Sequence, residues 1–113
     1  MNGLVKPRVI RVLADYDCYP LWLTGEHSGD LSPGDPMLGL TSELIESLEA
    51  WSAEFDDTLC REDPASSGFP SKESEERFYE VGYALSRQLA GELGRGWKVS
   101  YFDLRAGGDV EIS

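Results

Sequence analysis

Two carboxylates two residues apart, Asp15 and Asp17, close the apolar run VIRVLADYDCY (residues 9–19). Fanned from the end of a strand, such a pair could hold Mg²⁺ through hard oxygen ligands and polarise a bound substrate. The rest of a catalytic centre is hard to assemble around them. The one histidine, His27, sits in GEHSG (residues 25–29). That string is turn chemistry, and its serine is out of place for a Gly-x-Ser-x-Gly elbow. Cys18 and Cys60 fit no zinc spacing and are too few for a disulfide framework, so they read as reduced thiols. No phosphate-binding loop or dinucleotide fingerprint is present, and neither a metal nor a cofactor is expected.

A denser set of carboxylates invites recognition instead of catalysis. In Leu40–Cys60, LTSELIESLEAWSAEFDDTLC, the residues Leu44, Ile45, Leu48, Trp51, Phe55 and Leu59 recur at steps of three and four. That period predicts a helix with a buried stripe, started by Thr41 as N-cap. Glu43, Glu46, Glu49, Glu54, Asp56 and Asp57 fall on the opposite face, and no Lys or Arg follows until Arg61. The formal charge of the chain is −11, and it is unevenly placed. Asp15 to Asp63 carries thirteen acids and one base, a net of −12, whereas the other residues carry eight acids and nine bases, a net of +1. Such a field repels nucleic acid and anionic membranes and attracts a basic protein partner. Tyr16, Tyr19 and Trp22 stand among these acids, and aromatics ringed by charge are what binding hot spots are made of. Trp51 belongs to the core stripe.

The elements that must position these groups are few. Lys6–Ala14 alternates as a strand, with Ile10, Val12 and Ala14 to one side. Residues 15–40 are irregular and contain Pro20, Pro33 and Pro36. PLWL (20–23) is expected there as a short edge strand, since proline is tolerated at such a start. After the acidic helix, Phe69 in SSGFPS is expected to plug the corner between two helices. Ser71 caps the second helix, with Glu73, Glu75 and Glu76 near its start and Phe78, Val81, Leu85, Leu89 and Leu93 as its buried stripe. Gly82 allows close approach of the neighbouring helix, and Gly94-Arg95-Gly96 stops this one. Trp97–Leu104 alternates as a strand. A two-residue Gly107-Gly108 turn would then return Asp109–Ser113, setting Val110 opposite Arg105 and Ile112 opposite Asp103.

The 113 residues suffice for one domain, and 41 % apolar content is that of a folded chain. The expected fold is a two-layer α/β (α+β) arrangement spanning 1–113. Its small, mainly antiparallel sheet has three to four strands, with two antiparallel helices packed on one face. No apolar run approaches the roughly 20 residues that cross a bilayer. The start, MNGLVKPRVIRVL, lacks the apolar stretch of a secretory signal, so the chain is expected to be cytoplasmic.

Two resemblances bear on function. The strand ending in Asp-x-Asp is similar to the nucleophile motif of haloacid-dehalogenase-type phosphatases, which implies a metal-dependent hydrolase using Asp15 and Asp17. The usual following residues, the partner lysine and a further strand-borne acid are missing here. Across most of the chain, PLW, LxxW on the acidic helix, SGFPS, FxxxG (Phe78 to Gly82), EL and WKVSY together resemble small uncharacterised bacterial proteins. In size, acidity and lack of catalytic groups the chain also looks like the immunity proteins of bacterial toxin systems. That resemblance implies a non-enzymatic inhibitor that occludes a basic partner such as a nuclease toxin, and it supplies no catalytic residue. The contact set would be Asp15, Tyr16, Asp17, Trp22, Glu43, Glu46, Glu49, Glu54, Asp56 and Asp57. The alternatives are the hydrolase and a structural or regulatory subunit.

Overall fold

The computed structural model of the chain describes residues 8–24, 29–59 and 68–112. His27 and Cys60 lie outside the described residues. The elements are β1 (Arg8–Val12), β2 (Leu21–Leu23), β3 (Gly29–Leu31), α1 (Ser42–Asp56), α2 (Lys72–Leu93), β4 (Trp97–Asp103) and β5 (Gly108–Ile112). The strands form one sheet in the order β3-β2-β1-β4-β5. β1 and β4 run parallel at its centre, and the other pairs are antiparallel.

The alternation in β1 sets the layers. Ile10 pairs with Leu23 and Val99, and Val12 with Leu21 and Tyr101. Partners across a ladder share a face, so these side chains make one apolar surface, continued by Ile112 opposite Val99. Leu44, Leu48 and Trp51 of α1 and Phe78, Leu85 and Leu89 of α2 join them in a single buried core. Arg11, Trp22, Asp30, Ser100 and Asp109 occupy the other, uncovered face.

The helices are antiparallel. Glu92, late in α2, accepts hydrogen bonds from Thr41 N–H (2.8 Å) and Thr41 Oγ1 (2.9 Å) at the start of α1. Farther along, Trp51 stacks on Phe78 at 4.6 Å and donates Nε1–H to its carbonyl at 2.9 Å. Thr41 also accepts from Leu44 N–H as the expected N-cap. The C-terminal end of α1 is less conventional. Glu54, Asp56 and the C-cap Asp57 cluster there with no Lys or Arg in the last turn. Phe69 sits between the helices, its ring 5.0 Å from Phe78 and 6.4 Å from Phe55. Gly82 lets α2 close onto both α1 and the sheet: a Cβ there would lie 2.6 Å from Trp51 and would strike the Tyr101 hydroxyl.

Four expectations need correction. The sheet has five strands and is mixed, not three to four and mainly antiparallel. PLWL supplies an interior strand, because Gly29–Leu31 pairs along its outer side. Val81 is 41 % exposed, and the buried positions beside it are Tyr79, Gly82 and Ser86. The final hairpin is longer than a two-residue turn: Val110 faces Tyr101 and Ile112 faces Val99. The physical reason is Asp103, whose carboxylate accepts from Arg105 N–H and winds Leu104–Ala106 into a 3₁₀ turn, with Gly107 left-handed at φ 83° after it. The register moves by an even number of residues, so Val110 and Ile112 keep the expected face.

Candidate functional site

The two acidic groups of the sequence meet at one place. Leu13 N–H donates to the Pro20 carbonyl at 2.9 Å, and Val12 pairs with Leu21, closing residues 14–19 into a loop between β1 and β2. Inside it, Asp15 Oδ1 accepts from Tyr16 N–H (2.8 Å) and the Asp15 carbonyl from Cys18 N–H (3.4 Å). Asp17 takes φ +58°, a left-handed conformation that a short polar side chain tolerates.

This loop is laid along the C-terminal half of α1. Asp17 N–H donates to Asp56 Oδ1 at 3.0 Å, and Ser52 Oγ donates to the Cys18 carbonyl at 3.3 Å. Tyr16 stacks on Phe55 at 4.7 Å, its hydroxyl 3.1 Å from Thr58 Oγ1. From the other side, Asp30 of β3 accepts from Tyr19 N–H at 2.9 Å. The result is an open cleft of about 320 Å³ lined by Asp17, Glu49, Asp56, Cys18, Tyr19 and Ser52, among others.

Its electrostatic character is visible at Cys18, a half-buried free thiol. Burial pushes the thiol above its ordinary pKa, and the charges of Asp15, Asp30, Asp17 and Asp56 push it further the same way. Cys18 therefore stays protonated and is a poor nucleophile at neutral pH. Glu43, Glu46, Glu49, Glu54 and Asp57 are exposed, and Asp56 is half-buried beneath the loop. Among the described residues none of these six pairs with a Lys or Arg. Ion pairs between described residues lie elsewhere, at Arg11–Asp109 (2.7 Å), Arg105–Asp103 (3.0 Å) and Arg105–Glu80 (3.8 Å).

The structure does not gather every residue singled out above. Tyr16 uses its ring on Phe55, which makes it a brace for the loop. Trp22 lies on the uncovered face of the sheet, opposite Arg11 and Asp30, with Nε1–H donated to the Leu13 carbonyl at 2.8 Å. The aromatic presented at the cleft is Tyr19, 51 % exposed. Ser52, Thr58 and Asp30, which hold the loop in place, went unnoticed in the sequence. The only hint of Ser52 was a small polar residue beside Trp51 on the core side of the helix. Among the described residues no group of three or more His, Cys, Asp or Glu could hold a metal ion. No helix among them is long and apolar enough to cross a membrane.

A protein-family model described as Serratia CdiI immunity protein-like matches residues 8–104, from the first residue of β1 to the residue after β4. No curated protein matches the chain.

Proposed function

Since this chain belongs to the Serratia CdiI immunity protein-like family, an immunity family of bacterial toxin systems, we propose that it neutralises its toxin by charge-complementary occlusion. The cleft and the exposed arc of α1 are the contact surface: Asp15, Asp17, Glu43, Glu46, Glu49, Glu54, Asp56 and Asp57 meet Lys and Arg on the toxin. Tyr19 supplies the aromatic contact, and Tyr16 and Trp22 hold the loop that carries it. The observation behind this is the run of α1 carboxylates that have no counter-ion among the described residues. Groups left so at the surface raise the net repulsion of the fold and favour a cationic visitor.

A toxin that acts on nucleic acid must itself present a basic surface, and an acidic protein seated there excludes the substrate. Binding takes place in the cytoplasm, where such a substrate would be found. Long-range attraction speeds the encounter and fades once salt shortens the Debye length to about 8 Å.

The test uses the cognate toxin. Glu46→Lys together with Glu49→Lys should weaken its capture about 10- to 100-fold at low salt, mostly through slower association, with thermal stability unchanged. Neither side chain bonds to another described residue, so the fold has no stake in them. Wild-type protein should also displace nucleic acid from the toxin. Unchanged affinity in the double variant, at 20 mM as at 150 mM salt, would rule out occlusion by charge.

A further inference from the structure

We propose that Ser52 and Asp30 are positioning residues for toxin recognition. Between them they pin the Cys18–Tyr19 peptide, which makes Tyr19 a rigid anchor and sets how long the toxin stays bound. This deepens, and rests on, the immunity function proposed above. The carbonyl of Cys18 and the N–H of Tyr19 belong to one trans peptide plane and point in opposite directions. Ser52 Oγ, from α1, donates to that carbonyl at 3.3 Å, and Asp30, from β3, accepts from that N–H at 2.9 Å. Two elements far apart in the chain thus hold the plane at both ends, and it cannot turn without breaking a bond to each.

The residues on either side leave Tyr19 no slack. Each amide from Tyr16 to Tyr19 has an acceptor: Asp15 Oδ1, Asp56 Oδ1, the Asp15 carbonyl and Asp30 Oδ2 in turn. Pro20 follows, fully buried, its carbonyl taking the Leu13 N–H. A proline ring also confines the residue before it to extended conformations. On this fixed base the Tyr19 side chain stands exposed. Tyr16, by contrast, has its ring on Phe55 and its hydroxyl beside Thr58. An exposed ring adds little to the fold, but in an interface a tyrosine on an immobile backbone loses little freedom when it is covered. Ser52 points the same way. It is buried beside Trp51, where alanine would suit both helix and core, and its hydroxyl serves the loop. The α1 carboxylates govern how fast the toxin arrives, and the pinned anchor governs how slowly it leaves.

Association and dissociation rates with the cognate toxin test this. Tyr19→Ala should speed dissociation about 30-fold, the size of a hot-spot truncation, with association and thermal stability unchanged. Ser52→Ala and Asp30→Ala should each speed it about 5-fold, the cost of ordering one more side chain on binding. Each should have an effect under about 2-fold once Tyr19→Ala is present, because they act through that ring. Asp30→Asn, which keeps an acceptor oxygen and loses the charge, should dissociate as slowly as the wild type. Equal losses in Asp30→Asn and Asp30→Ala would show charge at work instead of position and overturn the proposal. Effects of Ser52→Ala and Tyr19→Ala that simply add would overturn it too, as would a Tyr19→Ala variant that dissociates at the wild-type rate. If circular dichroism shows Ser52→Ala to be unfolded, the two Asp30 variants decide alone. In each of these outcomes wild-type binding leaves the immunity function standing, whereas a wild-type protein that does not bind the cognate toxin overturns both.

Discussion

Carboxylates are used in two different ways at two ends of this molecule. Around β4 and β5, Asp103 and Asp109 have work inside the fold. Asp103, buried, accepts from the backbone N–H, Nε and NH2 of Arg105 at 2.9, 3.1 and 3.0 Å and shapes the hairpin turn. Asp109 holds Arg11 across the sheet at 2.7 Å. Along α1 the acids are more numerous, yet none pairs with a described Lys or Arg, and only Asp56 serves a neighbour, the backbone of Asp17. Carboxylates with internal partners determine conformation. Those without leave the backbone as it is and determine what the surface attracts. The two groups should therefore respond to opposite experiments, one to denaturant and acid, the other to a partner and salt.

Gly82 joins the two ends, since Trp51 of α1 and Tyr101 of β4 both press on it, and it gives the largest effect. Gly82→Val should destabilise the protein by about 3 kcal/mol, the upper range for overpacking a core. Ellipticity and tryptophan fluorescence should shift together in urea. Separate transitions would break the comparison, because the acidic end would then be a unit of its own.

Next is Asp103→Ala, expected to cost about 2 kcal/mol, since it strips a buried charged acceptor from three donors. The hydrogen bond from the Arg105 side chain is the main reason the Asp103 carboxyl lies below its ordinary 3.8, outweighing its burial. At Glu92 burial pushes upward, but bonds from Thr41 and Gln88 outweigh it and hold the group below 4.5. A carboxyl depressed by folding stabilises the native state above its unfolded pKa and loses that contribution as pH falls through the folded one. Stability should thus be level from pH 7 to about 5 and decline below about 4.5, with a shallower decline in Asp103→Ala and in Glu92→Gln. A decline of the same steepness in both variants would move the acid sensitivity to other groups.

The smallest effect belongs to the acidic end. Glu43→Gln with Glu54→Gln should alter stability by less than about 0.5 kcal/mol. Raising salt from 20 to 150 mM should slightly stabilise the wild-type protein while weakening its hold on the toxin. A loss of 2 kcal/mol in the Gln variant would show that these acids serve the fold after all.

Much of this was legible in the sequence because it depended on period. The three- and four-residue steps gave α1 its face, Thr41 its cap and Trp51 its place in the core. Strand parity put Val110 and Ile112 on the correct side even though their partners were misassigned. What parity cannot count is the length of a turn, and Asp103 extended that one with its own side chain. β3 has only Gly-Asp-Leu, too short to show alternation, and its pairing is what turns PLWL into an interior strand. The parallel contact of β1 with β4 joins segments some ninety residues apart, which no local pattern reports. The meeting of the 14–19 loop with Asp56 was hidden for the same reason, although both acidic groups were recognised separately.

The end of α1 carries one further consequence. Peptide dipoles already leave about half a negative charge at a helix C-terminus, and Glu54, Asp56 and Asp57 add theirs to it. A free protein built this way keeps its final turn under electrical tension, so amides near Phe55 to Thr58 should exchange with solvent sooner than those of the first turns. A docked guanidinium or ammonium would relieve that tension and slow their exchange, making the last turn of the helix a built-in reporter of whether the toxin has arrived.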